Sequence, residues 1–151
     1  MSTAARLIHP LTEFADLFGP EPPRLEGLSG VELPEPARRL LVHTGDMTPT
    51  LEAFHGDTLY LELRQCHPGE LVYAREVVLR RRGDHAPVEY GVIQIQLAAF
   101  PAAAVAEIRA ASIPLGTIFR RHQVIHESRP WGYFRAWPNQ VLQDLYQVSA
   151  E

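Results

Sequence analysis

Arg75 is the residue whose type and setting could do chemistry. It lies in the stretch Leu71–Arg81, Leu-Val-Tyr-Ala-Arg-Glu-Val-Val-Leu-Arg-Arg. Alternation puts Leu71, Tyr73, Arg75, Val77 and Leu79 on one side of an extended strand, so Arg75 is the one charge on an apolar face. A guanidinium does not give up its proton, and a buried one needs an anion. That anion is either a carboxylate of the protein, with Glu62 and Glu89 as candidates, or a carboxylate of a ligand.

The remaining reactive residue types form no recognisable centre. The seven histidines lack metal-ligand spacing, and the single Cys66 excludes an internal disulfide or a multi-cysteine site. In a strand-like run, Cys66 reads as a small packing residue. There is no phosphate loop, dinucleotide fingerprint or nucleophile elbow. No metal and no cofactor are expected.

The elements that must position Arg75 follow from patterning. Ser2–Phe18 has helical apolar spacing, and Gly19–Pro36 reads as an irregular connector rich in breakers, with a flap over a site as the alternative. Pro36–Val42 is a short helical segment. Thr48 caps a helix over Pro49–Phe54 that stops at Gly56. Strands are expected over Thr58–Cys66, Leu71–Arg81 and Pro87–Leu97, with a hairpin turn at Arg82–Ala86. The third strand has two faces. One register sets Arg75 beside Ile93 and Glu89; the other sets it beside Tyr90, Val92, Gln94 and Gln96. The turn leaves both open.

A helix over Pro101–Ala111 points Val105 and Ile108 inward. Strands over Thr117–Glu127 and Tyr133–Trp137 flank the turn Ser128–Gly132, and Val141–Val148 is a weak terminal helix or strand. This order fits one α+β domain over residues 1–151, an antiparallel sheet with helices against it, with 1–36 as N-terminal helix and connector. Trp131, Tyr133, Phe134 and Trp137 read as packing or dimer-contact residues. Monomer and homodimer both remain open.

At 151 residues, 46% apolar and 21% charged, the chain is an ordinary globular one. A net charge of -4 gives no reason to expect nucleic acid, and Arg80–Arg82 and Arg120–Arg121 read as solvated strand ends. Met1–Arg6 lacks the pattern of a secretory signal, and no window suits a membrane span. A cytoplasmic setting is the expectation.

Three stretches together resemble the chorismate pyruvate-lyase family and its chorismate lyase-like relatives. They are Gly45-Asp46-Met47-Thr48, Tyr73-Ala74-Arg75-Glu76-Val77-Val78-Leu79 and Ile113-Pro114-Leu115-Gly116, and the likeness runs from about Leu40 to Arg121. The resemblance implies a twisted antiparallel sheet flanked by helices around a small internal ligand cavity. It implies loss of pyruvate from chorismate or a related cyclic carboxylate to give a hydroxybenzoate. Arg75 would be catalytic and would bind the carboxylate, with Met47, Leu115 and Gly116 as further substrate contacts.

Two departures accompany the likeness. The lyases have a second arginine on the third strand, where this chain has Val92. Their late glutamate, which meets the ring hydroxyl, aligns with Arg135, leaving Glu89 and Glu127 as substitute acids. Arg135 is therefore expected to contact substrate from another direction, or the substrate differs, or catalysis is lost. The alternative function is a non-catalytic binding protein for a small aromatic carboxylate on the same fold.

Overall fold

The structure, a computed structural model, describes residues 21–149, and the expected helix Ser2–Phe18 lies outside them. The elements run β1 (Arg24–Leu28), α1 (Ala37–Leu41), α2 (Met47–His55), β2 (Leu59–Pro68), β3 (Val72–Arg81), β4 (Pro87–Gln96), α3 (Ala102–Ala110), α4 (Leu115–Arg121), β5 (Tyr133–Trp137) and α5 (Gln140–Tyr146). This is an α+β chain. The described residues divide into two compact units, residues 45–128 and residues 21–44 together with 129–149. No helix among the described residues is long and apolar enough to cross a membrane.

The unit of residues 45–128 is built on an antiparallel sheet in the order β2-β3-β4. The register pairs Tyr73 with Ile95, Arg75 with Ile93, Val77 with Gly91 and Leu79 with Glu89. Arg75 therefore shares its face with Ile93 and Glu89. At one end of that face Tyr73, Ile95 and Leu97 join Ala104 and Ile108 of α3 and Ile118 of α4 in a core. Burial of these apolar groups is the main force seating both helices on the sheet. On the opposite face Glu76 is buried, 3.5 Å from Arg64 and accepting a 2.9 Å hydrogen bond from the Tyr90 hydroxyl. Arg64 stands at an irregularity in the β2–β3 pairing, which re-aims its side chain.

Helix α2 starts earlier than expected. Asp46, with extended backbone, precedes its first residue, and Pro49 falls third in the helix. Proline costs little there because the first turn's N–H groups have no intrahelical acceptor. Thr48 is thus released from capping and becomes a buried contact of α4. Gly56, at φ +62, ends the helix in the left-handed conformation that glycine adopts freely.

The expected strand over Thr117–Glu127 is not formed: its first part, to Arg121, belongs to helix α4, and the rest is turn and irregular chain. Leu115, Ile118 and Phe119 stand at i, i+3 and i+4, and burying Ile118 completely outweighs the strand preference of Thr117 and Ile118. Cys66 is exposed and not a packing residue.

In the other unit, β1 lies inside the expected connector and pairs antiparallel with β5. Arg24 stacks over the Trp137 ring at 4.6 Å, while Ser29 and Glu32 form a capping box around a single turn of 3-10 helix. Trp131 is 84% exposed. Asn139 caps α5 by accepting the Leu142 N–H at 3.1 Å.

Candidate functional site: a pocket floored by Arg75

The face of the sheet that carries the core continues into a pocket of about 320 Å³. Its floor is Arg75, Val77 and Leu79 of β3 with Glu89, Gly91 and Ile93 of β4. The opposing wall comes from two helix starts, Asp46-Met47-Thr48 at α2 and Pro114-Leu115-Gly116 at α4, with Phe119 and Ser128 beside them. Gly116 makes this convergence possible. A Cβ there would stand 3.2 Å from Thr48 Oγ1 and 3.4 Å from Thr48 Cβ, closer than the helices can accept without shifting.

Arg75 sits where core passes into pocket. It is 1% exposed, and among the described residues it makes one geometrically formed hydrogen bond, a long one of 3.4 Å from Nη1 to the Ile108 carbonyl. Among the described residues its Nε meets no acceptor within hydrogen-bonding geometry, and the adjacent Tyr73 hydroxyl is likewise without a well-formed hydrogen bond. Among the described residues no carboxylate pairs with Arg75: Glu62 is held by Arg80 at 2.6 Å, and Glu76 by Arg64. Burial lowers the pKa of Arg75, with the Tyr73 oxygen working in the other direction. The charge persists, and its fork of donors is only partly used.

Glu89 is the second ionisable group on the floor. Neither oxygen accepts a hydrogen bond from any described residue, and Oε2 is fully buried. Burial pushes its pKa from 4.5 up to about 7. The folded state thus holds this proton more tightly than the unfolded chain. Glu89 favours folding below pH 4.5, and that contribution is lost as the pH rises from 4.5 to about 7. A shift of this size amounts to about 3 kcal/mol. Glu89→Gln is therefore expected to remove a decline in stability between pH 4.5 and about 7, measurable as urea midpoints across that range. An unchanged pH profile would show that Glu89 is ionised in water.

Across the pocket, Asp46 is held in place. Its Oδ1 accepts from His126 Nε2 at 2.7 Å and from Ser128 Oγ at 2.9 Å. His126 Nδ1 meets the Val124 carbonyl at 2.8 Å, so both ring nitrogens face acceptors and must donate. The Val124 carbonyl, and after it Asp46, raises the His126 pKa accordingly. His122 is engaged elsewhere, 3.0 Å from Glu107. Among the described residues no group of three or more acidic, histidine or cysteine side chains is placed to hold a metal.

Four of the five expected contact residues, Met47, Arg75, Leu115 and Gly116, line this one pocket, although they come from three separate stretches of chain. Val92 lines it as well, in the place where a second arginine was sought. Arg135 is not among the lining residues. It stands on β5 in the other unit, 59% exposed at its side chain and 3.7 Å from Glu26. Of the two candidate acids, Glu89 lines the pocket and Glu127 does not. The importance of Asp46 was missed, because its partners His126 and Ser128 lie some eighty positions away and no local pattern announces them.

Fold and site together define an α+β protein with a small arginine-floored pocket. No family model, curated protein or solved structure matches the chain.

Proposed function

We propose that this chain is a chorismate lyase-like binding protein for a small cyclic carboxylate, held by Arg75. One observation carries the reading: a fully buried guanidinium on a pocket floor, with an unused donor and, among the described residues, no carboxylate to neutralise it. A planar carboxylate fits that fork in a charge-assisted contact. The pocket's volume lies at the small end of ligand sites, suited to a single ring. Met47, Leu115 and Val77 supply apolar surface for the ring.

The charges favour a single carboxylate. Arg75 shares the pocket with Asp46 and Glu89, and among the described residues no second arginine or lysine lines it. Chorismate carries two carboxylates, and the second would meet these acids. Pyruvate release from chorismate is the second reading, favoured by the gathering of Met47, Arg75, Leu115 and Gly116 in one place. In that case Arg75 acts by orientation and electrostatic stabilisation, and aromatisation drives the reaction.

The test is thermal stabilisation by 4-hydroxybenzoate, 3-hydroxybenzoate and salicylate, expected in the wild-type chain and absent in Arg75→Ala. Failure of every such acid to stabilise the protein would defeat the proposal. Incubation with chorismate separates the readings, since pyruvate formed above the spontaneous rate would establish the lyase.

The pocket itself can be filled without disturbing the core. A Cβ at Gly91 would lie 3.5 Å from Glu89 Oε1 and 3.8 Å from Val77 Cγ2, ordinary contacts. Gly91→Ala, which adds only that Cβ, is expected to keep the fold and to weaken ligand stabilisation by narrowing the pocket. Undiminished ligand stabilisation in this variant would place the ligand elsewhere.

A further inference from the structure

We propose that His126 is a proton-controlled latch on the pocket wall. Protonated, it holds Asp46 in an ion pair and the pocket accepts an anion; neutral, it leaves the Asp46 charge to repel one. The inference rests on the carboxylate reading of the Arg75 pocket and adds its regulation by pH.

The latch belongs to residues 123–128, which leave the end of α4 as turn and irregular chain. Gln123 turns in the left-handed region at φ +51, and the Val124 N–H donates to the Phe119 carbonyl at 2.9 Å. The His126 ring then lies against the Phe119 ring, 4.2 Å between centroids, and Phe119 stacks in turn on Phe100. From there His126 and Ser128 reach the same oxygen of Asp46, just before α2. Asp46, Phe119 and Ser128 all line the pocket, and His126 does not. The imidazole thus acts on the wall without meeting a ligand itself.

The ring's setting makes the latch sensitive to one proton. Nδ1 stands 2.8 Å from the Val124 carbonyl and Nε2 2.7 Å from the Asp46 carboxylate, whereas a neutral imidazole has a single N–H. Either neutral tautomer turns a lone pair on an acceptor, so losing the proton breaks one of the two contacts. It also removes the cation beside Asp46. The Val124 carbonyl, and after it Asp46, raises the His126 pKa above its ordinary 6.5. The latch therefore supports the fold fully below pH 6.5 and is lost as the pH rises through that raised value.

Among the described residues, Asp46 is the charge that acts on the ring. The first turn of α2 adds no acid, and Arg121 and His122 at the end of α4 are engaged by Glu107. Glu127 and Arg129 flank His126 along the chain, and the other ionisable residues of the pocket are Arg75 and Glu89. With His126 protonated, the Asp46 charge is balanced and Arg75 is left to offset an incoming carboxylate. With His126 neutral, Asp46 is an uncompensated anion in the same wall.

The experiment is calorimetric titration with 4-hydroxybenzoate between pH 6 and pH 8.5, where its carboxyl stays ionised. Wild type is compared with His126→Gln, Asp46→Asn and Glu89→Gln. The affinity of wild type is expected to fall roughly fivefold or more across the range, the lower end of coupling between sites. His126→Gln holds the weaker affinity throughout and Asp46→Asn the tighter one, while Glu89→Gln keeps the fall. Followed by NMR without ligand, the His126 ring titrates above pH 6.5 in wild type and at a lower pH in Asp46→Asn. A fall in affinity that survives in His126→Gln or Asp46→Asn, or vanishes in Glu89→Gln, overturns the latch and leaves the Arg75 reading standing. An equal His126 midpoint in wild type and Asp46→Asn overturns it as well. If 4-hydroxybenzoate binds wild type at no pH, the Arg75 reading falls and this inference falls with it.

Discussion

Arg75→Met is expected to unfold at a higher temperature than the wild-type chain while losing all carboxylate binding. The wild-type residue holds a charge at 1% exposure, with one long hydrogen bond and no ion partner among the described residues. Such a charge weakens the ligand-free fold. Methionine has a similar reach, and it would continue the apolar run of Tyr73, Val77 and Leu79 into Ile93. Replacement even of paired buried ions by apolar residues of similar volume is often neutral or stabilising by about 1–4 kcal/mol. For a chain of this size each kcal/mol is worth roughly 2–4 °C in Tm. An arginine kept for structure behaves oppositely, and removing one half of a buried ion pair costs about 3–5 kcal/mol. Thermal melts without ligand thus separate a binding residue from a structural one by the sign of a single shift. A trade of stability for function at this position is what a preorganised carboxylate site requires.

Ile118→Ala carries the second large effect. Ile118 is fully buried between α4 and the core formed by Tyr73, Ile95, Leu97, Ala104 and Ile108. Truncating an isoleucine in such a place costs about 2–5 kcal/mol, from lost transfer energy and the cavity left behind. The urea midpoint should fall with the slope unchanged. Ligand stabilisation should weaken too, because α4 presents Leu115 and Gly116 to the pocket and is seated through Ile118. A loss below about 1 kcal/mol would mean that α4 is not docked on the sheet, as surface substitutions typically behave.

The sheet at the centre of the site was legible because its strands alternate cleanly. The apolar positions of Leu71–Arg81 and Pro87–Leu97 locate β3 and β4 to within a residue or so of their observed ends. Arg75 stood out for the same reason. What it faces was not legible. A one-residue change of register across the Arg82–Ala86 turn swaps Glu89 for Tyr90, and nothing in the turn chooses between them. The observed pairing of Arg75 with Ile93 settles this, and brings Glu89 into the pocket without bringing it to Arg75.

Helix α4 was misread because Thr117, Ile118 and Phe119 favour strands locally, whereas tertiary burial of Ile118 decides the outcome. β1 was hidden among proline and glycine residues, and its partner β5 lies near the other end of the sequence, so no local signal exists for the pairing. Thr48 looked like a cap because proline follows it. The cap position falls to Asp46, and the pocket gains both residues in its wall. Arg135 enters the expected site only through the resemblance, as the residue in the place of the lyases' late glutamate. Its pairing with Glu26 across the β1–β5 ladder gives it a local role on the surface.

The central claim is that Arg75 receives a ligand carboxylate, and titration calorimetry of wild type and Arg75→Met with 4-hydroxybenzoate tests it most directly. The account predicts saturable one-to-one binding by wild type and no heat of binding by a folded, more stable Arg75→Met. Equal binding by both proteins would contradict it.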